Sequence, residues 1–176
     1  MSIEFYKLKV KEVRRETPEC VSIAFEIPSD LKSVFQYTQG QYITIRKVFN
    51  GEEIRRSYSL CTAPADNDFR VAVKQMYDGI FSSYANKELK AGDELEVMPP
   101  LGNFFTKLDS SNSKNYIGFA AGSGITPIMS ILKTVLLTEP NSSFTLFYGN
   151  KNVESVIFME ELEALKNRFI GRLSLY

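Results

Sequence analysis

The polar link Asp109–Asn115 (DSSNSKN) separates two hydrophobic patterns that cannot belong to one kind of sheet. Ahead of it the apolar residues come in short alternating runs broken by turns, the period of strands with one face buried. Behind it they come as short continuous runs followed by longer helical stretches, the pattern of a parallel sheet covered by helices. The chain therefore divides into two units, 1–109 and 114–176.

In the first unit, Phe5–Arg14 alternates loosely. The runs VSIAFEI from Val21, QYITIRKV from Gln41 and RRSYSLCT from Arg55 follow, then FRVAVKQMY from Phe69 and DELEV from Asp93. Asn50-Gly51 between two of these runs is a strong hairpin signal. Six strands at this spacing predict a closed antiparallel barrel, with one short helix over about Phe81–Leu89. In the second unit, YIGFAA, PIMSILKTVLL, FTLFYG, SVIFMEELEALKNRF and RLSLY read as β-α-β-α-β. That order predicts a parallel sheet. Three strands make a thin sheet with an open edge, through which two copies could pair as a homodimer.

Composition limits the chemistry. Lysine plus arginine and aspartate plus glutamate each total 21, so no global field draws the chain to nucleic acid or an anionic membrane. No apolar run approaches a membrane span, and Met1 leads into a charged segment rather than an apolar signal core, so the expected location is the cytoplasm. Histidine is absent and the cysteines are two, Cys20 and Cys61. Zinc sites, iron-sulfur clusters and Cys-His nucleophiles each lack ligands or partners, and the expected state of both cysteines is a buried, reduced thiol. A bound organic cofactor is the simplest remaining source of chemistry.

Three stretches suit such a cofactor. In Arg56-Ser57-Tyr58-Ser59, strand alternation puts Arg56 and Tyr58 on one face, a guanidinium that can fork onto a diphosphate beside a ring that can stack on a flat heterocycle. The same tetrapeptide is also what an ordinary edge strand carries. Gly79-Ile80-Phe81-Ser82 stands where a strand passes into a helix, so unpaired amides, close approach at Gly79 and the Ser82 hydroxyl could hold a phosphate; an ordinary cap is the competing reading. Gly122-Ser123-Gly124 follows a strand and precedes a helix, with Pro127 where a dinucleotide fingerprint has its third glycine. A tight connection without ligand is the alternative there.

In the order RSYS, GIFS, PLGNF, GSGITP, these motifs resemble the ferredoxin-NADP reductase family of flavoproteins. With RSYSL, GIFSSY and YGNK ahead of IFMEEL, they are similar in particular to phenylacetate-degradation and oxygenase-type reductases. The resemblance runs the length of the chain. It implies a six-stranded Greek-key barrel holding FAD, then a three-layer α/β domain holding NAD(P)H, shortened here because the family's later strands and Cys-Gly-Pro segment do not follow Tyr176. It implies that Arg56 pairs with the FAD diphosphate, Tyr58 stacks on the isoalloxazine, and Ser59 lies near its hydride-accepting nitrogen, Tyr58 and Ser59 being the residues nearest the chemistry. Ser57 belongs to the same strand motif. Val73 and Lys74 would lie beside the flavin, Gly79, Phe81 and Ser82 at its diphosphate, and Gly122, Ser123, Gly124 and Thr126 at NAD(P)H. The implied partner is an electron-acceptor protein, an iron-sulfur protein or an oxygenase. A non-catalytic flavin- or nucleotide-binding module acting as an interaction unit is the alternative.

Overall fold

The computed structural model describes residues 4–176. Six strands form the first sheet: β1 (Tyr6–Thr17), β2 (Cys20–Glu26), β3 (Tyr42–Phe49), β4 (Glu52–Ser59), β5 (Phe69–Lys74) and β6 (Glu94–Val97). Their order is β4-β3-β6-β1-β2-β5, with every pairing antiparallel. The two outer strands meet through a Leu60–Val71 bridge and a Cys61 amide donating to the Arg70 carbonyl at 3.0 Å, which closes the barrel. At the β3–β4 turn, Asn50 and Gly51 take φ of 49° and 84°, the left-handed pair that matches strand twist in a two-residue hairpin. Leu8, Ile23, Ile43, Ile45, Leu60, Val71 and Leu95 fill the interior, each at most 2% exposed. Helix α1 (Ile80–Lys87) closes one end through Phe81 and Ala85.

The second sheet is parallel, in the order β7 (Asn115–Ala121), β8 (Ser143–Gly149), β9 (Leu173–Leu175). Helices α2 (Ile125–Thr138) and α3 (Met159–Arg168) pack on one of its faces, in one core cluster with Phe144, Leu146 and Leu173. Two of the three expected layers are present. The other face leaves Ile117, Phe119, Phe147 and Tyr176 exposed, and Phe119, Phe147 and Tyr176 stack in a ladder with 5.1 Å between successive ring centroids. No helix among the described residues is long and apolar enough to cross a membrane.

Element types match the sequence reading, and boundaries move. The helix expected from Ser155 begins only at Met159. A 3-10 turn at Val153–Ser155 and Phe158 in the left-handed region (φ 64°) intervene, because burial of Ile157 and Phe158 fixes that segment against the core. The short helix runs over 80–87 rather than 81–89, and helix α2 starts two residues before Pro127, leaving that proline in the first turn where its missing N–H costs nothing.

The joint between the units carries its own polar network. Glu139, fully buried at the end of α2, accepts hydrogen bonds from the Asp109 amide (3.1 Å), Asn112 Nδ2 (2.7 Å), Ser142 Oγ (2.7 Å) and the Tyr116 hydroxyl (3.0 Å). Burial alone raises its pKa, but the donors, Asn112 and Ser142 foremost, outweigh burial and hold it at about 2. A folded-state pKa below the ordinary 4.5 means stabilisation that is complete above that value and is lost as pH falls towards 2. Replacing Glu139 by Gln removes one acceptor oxygen and aims an amide at the donors. The expected cost is about 2 kcal/mol in urea unfolding at neutral pH, with a flatter loss of stability on acidification. An unchanged acid limb would contradict this role.

Candidate functional site

The three motifs meet in one cleft of about 540 Å³ between the barrel and the α/β unit. Strand β4 brings Arg56, Ser57, Tyr58 and Ser59, the start of α1 brings Gly79, Phe81 and Ser82, and the turn after β7 brings Ser123, Gly124 and Thr126. Arg56 and Tyr58 pair with Ile45 and Ile43 across β3, so they share a face as alternation requires. Ile54, nearer the hairpin on the same face, is buried, whereas Arg56 is exposed, its guanidinium donating to the Arg55 carbonyl at 2.7 Å. Tyr58 is half-buried, with its ring centroid 5.7 Å from that of Phe81 and the planes 35° apart. Burial pushes its hydroxyl up to about 12, against the opposing pull of Arg56, so the ring stays neutral.

Electrostatics favour an anion. Arg56 and Lys74 are the charged residues lining the cleft, and no carboxylate is part of its lining. The first amides of α1 have no partner within their helix and carry partial positive charge. A larger groove of about 820 Å³ is also polar, but its buried cations are already committed. Lys133 bonds Asp66 (2.6 Å) and Glu161 (2.7 Å), while Arg70 bonds Asp68 (2.7 Å) and Glu12. An anion entering there would have to break ion pairs. Among the described residues no cluster of metal-binding side chains occurs, and both cysteines are free and buried, burial raising each thiol, Cys20 to about 12.

Some expected roles shift. Val73 is fully buried, its side chain inside the barrel, because alternation sends it to the face opposite Lys74; it does not line the cleft. Lys74 does, with Ala72 and Met76 on the same side of the strand, two lining residues the motifs missed although parity marks them. Gly122 sits behind the lining, with φ of 49°. Thr126 spends its hydroxyl on the Ser123 carbonyl (3.1 Å). The Ser82 hydroxyl accepts from the Met76 amide (3.1 Å) and donates to the Gly79 carbonyl (3.2 Å), so it shapes the loop rather than standing free for a ligand. Ser82→Ala is accordingly expected to destabilise the ligand-free protein by about 1–2 kcal/mol, read by urea unfolding; a neutral effect would return the hydroxyl to a purely ligand-facing role.

These features suit a flavin dinucleotide: a partly exposed aromatic ring, an adjacent guanidinium, a second cation and helix-start amides in a site without negative charge. Just past β8, Asn150 Oδ1 is a buried acceptor with no hydrogen-bond partner among the described residues.

Comparison with known proteins agrees. Residues 7–106 match the family described as "Oxidoreductase FAD-binding domain" and residues 119–176 that described as "Oxidoreductase NAD-binding domain". The chain is 41% identical over 171 residues to one of the subunits of the 1,2-phenylacetyl-CoA epoxidase of Escherichia coli (strain K12), covering 97% of this chain and 48% of that protein. It is 39% identical over 169 residues to the 3-ketosteroid-9-alpha-monooxygenase, ferredoxin reductase component, of Rhodococcus rhodochrous, covering 95% and 47%. The chain thus spans about half the length of the curated relatives it matches. Among solved structures, the FAD/NAD-binding domain of nitric oxide dioxygenase from Vibrio cholerae O1 biovar El Tor superposes with a TM-score of 0.81 at 26% identity, covering 96% of this chain and 71% of that one. Ferredoxin-NADP+ reductase from Plasmodium falciparum shares the fold, with a TM-score of 0.82 at 24% identity over 98% and 68%. The chain belongs to the ferredoxin-NADP reductase family of FAD- and NAD-binding oxidoreductases.

Proposed function

We propose that this chain seats FAD in the barrel-side cleft and, as part of an NAD(P)H-dependent reductase, passes electrons to a separate acceptor protein. The observation that carries the reading is the convergence of Arg56, Tyr58, Lys74 and the α1 start on one carboxylate-free cleft. Bound FAD would supply the redox chemistry, taking a hydride from NAD(P)H and releasing its electrons singly or as a pair.

The chain's own residues bind and orient. Arg56 and the first-turn amides of α1 neutralise the diphosphate, Arg56 through bidentate hydrogen bonds once it leaves the Arg55 carbonyl. Tyr58 offers a face held by Phe81 behind it, and the packing of that pair limits the angle a stacked ring can take. Ser59, one residue on and also lining the cleft, supplies a hydroxyl at the ring's edge. Lys74 and the Ser123-Gly124 turn face the same space from the other side and would receive the phosphates of NAD(P)H. No residue need act as acid or base, which suits a chain without histidine. The acceptor is an oxygenase component or iron-sulfur protein, a reading supported by relatives that are components of an epoxidase and a monooxygenase.

A second reading is favoured by the bare aromatic face of the α/β sheet: the chain binds flavin but works as an interaction unit, pairing with another copy through the β9 edge. Reconstitution with FAD followed by NADH or NADPH separates the two. Bleaching of the oxidised flavin supports the reductase, whereas a stable yellow complex that eludes reduction and runs as a dimer supports the unit. Arg56→Ala is expected to weaken FAD binding roughly 10- to 100-fold, the loss of about 1.5–3 kcal/mol for a charge-assisted contact. Tyr58→Ala should weaken it about tenfold, and titration of the apoprotein with FAD measures both. If neither variant moves the affinity, the cleft is not the flavin site.

A further inference from the structure

The side chain of Tyr148 reaches from β8 to the turn that follows β7. Its hydroxyl donates to the Gly122 carbonyl at 3.0 Å and accepts from the Ile157 amide at 3.2 Å. One oxygen thus ties the glycine turn to the segment entering α3. Burial pushes that hydroxyl up to about 12, opposed by the Ile157 amide and Asn150, so at neutral pH it remains both donor and acceptor.

The consequence lies on the other side of the Gly122–Ser123 peptide. A trans peptide is planar, and its carbonyl and N–H point in opposite directions; no cis bond occurs among the described residues. With the Gly122 oxygen drawn towards Tyr148 and the interior, the Ser123 N–H is turned the opposite way, and Ser123 is exposed and lines the cleft. Left alone, this peptide has little to hold it. Gly122 adopts φ of 49°, and glycine crosses easily between positive and negative φ, so the residue itself does little to fix the orientation of the peptide that follows it. The Ile125 amide, at the buried start of α2, also bonds the Gly122 oxygen from the helix side, and the Tyr148 hydroxyl is the contact that reaches the same oxygen from a neighbouring strand.

We infer that Tyr148 is a positioning residue of the nucleotide half-site, its hydroxyl fixing the Gly122–Ser123 peptide so that the Ser123 amide is presented to a bound diphosphate. This rests on the reading of the Gly122–Gly124 turn as the NAD(P)H side of the cleft. It assigns Tyr148 no contact with the nucleotide itself.

The test uses the FAD-loaded protein with NAD+ and NADP+ as probes and amide NMR as the readout. In the unaltered protein the Ser123 and Gly124 signals should shift on titration. In Tyr148→Phe, which keeps the ring and loses only the oxygen, the Ser123 amide should shift or broaden before any nucleotide is added. Nucleotide affinity should fall about tenfold while FAD affinity stays within twofold. Gly122→Ala, which penalises the left-handed conformation and leaves Tyr148 in place, should give the same selective loss. If the unaltered protein shows no shift at Ser123 or Gly124, the turn is not a nucleotide site and the inference falls with that reading. If it does shift but Tyr148→Phe binds as tightly, the reading stands and the inference is overturned. Equal losses for FAD and nucleotide would also overturn it, since they mark a general weakening of the fold.

Discussion

Everything that makes a cleft of this molecule depends on one helix packed between two sheets. The inner residues of α2 (Ile125, Met129, Leu132, Val135) are fully buried in a cluster that holds Phe144 and Leu146 of the parallel sheet together with Cys20, Cys61 and Ala72 of the barrel. At roughly 1.5–3 kcal/mol for each large apolar side chain removed from water, this face alone outweighs any single polar contact at the joint. Polar contacts then set the register. Ser130, fully buried, donates to the Thr62 carbonyl at 2.6 Å, and Lys133 spans Asp66 on the barrel side and Glu161 on α3. Because the Gly122–Gly124 turn leads directly into α2, fixing the helix against the barrel fixes the turn opposite Tyr58 and Arg56.

Charge organises the site in the same indirect way. The two units together carry equal numbers of acidic and basic residues, yet the cleft lining holds two cations and no anion. The carboxylates are occupied elsewhere: Asp66 and Glu161 on Lys133, Asp68 and Glu12 on Arg70, Glu139 in the link network. Among the described residues neither Arg56 nor Lys74 is held in one of these salt bridges. A diphosphate can then satisfy them without first displacing a salt bridge, which would cost several kcal/mol where the pair is buried.

Much of this was legible in the sequence, because period and turn chemistry are local. Alternation gave the shared face of Arg56 and Tyr58, Asn50-Gly51 gave the hairpin, and the shift to continuous apolar runs after DSSNSKN gave the parallel sheet. Where the reading slipped, the deciding force was tertiary. Val73 is part of a stretch that resemblance places at a flavin, but its parity sends the side chain inward, and only pairing with Val21 across β2 fixes which parity is inward. The helix expected from Ser155 opens on Val156, Ile157 and Phe158, which are weak helix formers, and that stretch is instead packed into the core, with Phe158 at a positive φ just before the helix begins. Tyr148 could not be picked out beforehand, because its partners Gly122 and Ile157 lie 26 and 9 residues away and only the folded sheet brings them together.

The two halves differ in how far they satisfy their own backbone and apolar surface. The barrel closes on itself through Leu60 and Val71, and α1 seals one end of its core. Among the described residues the parallel sheet has two unpaired edges and an uncovered face carrying three stacked aromatic rings, and its other face is covered by helices packed in one core with residues of the barrel. The glycine turn is tied to both halves: it leads into α2, which packs against the barrel, and its Gly122 carbonyl accepts from the Tyr148 hydroxyl across the sheet. In this arrangement the barrel side of the cleft is the anchor, and the glycine turn on the other side is held against it through α2.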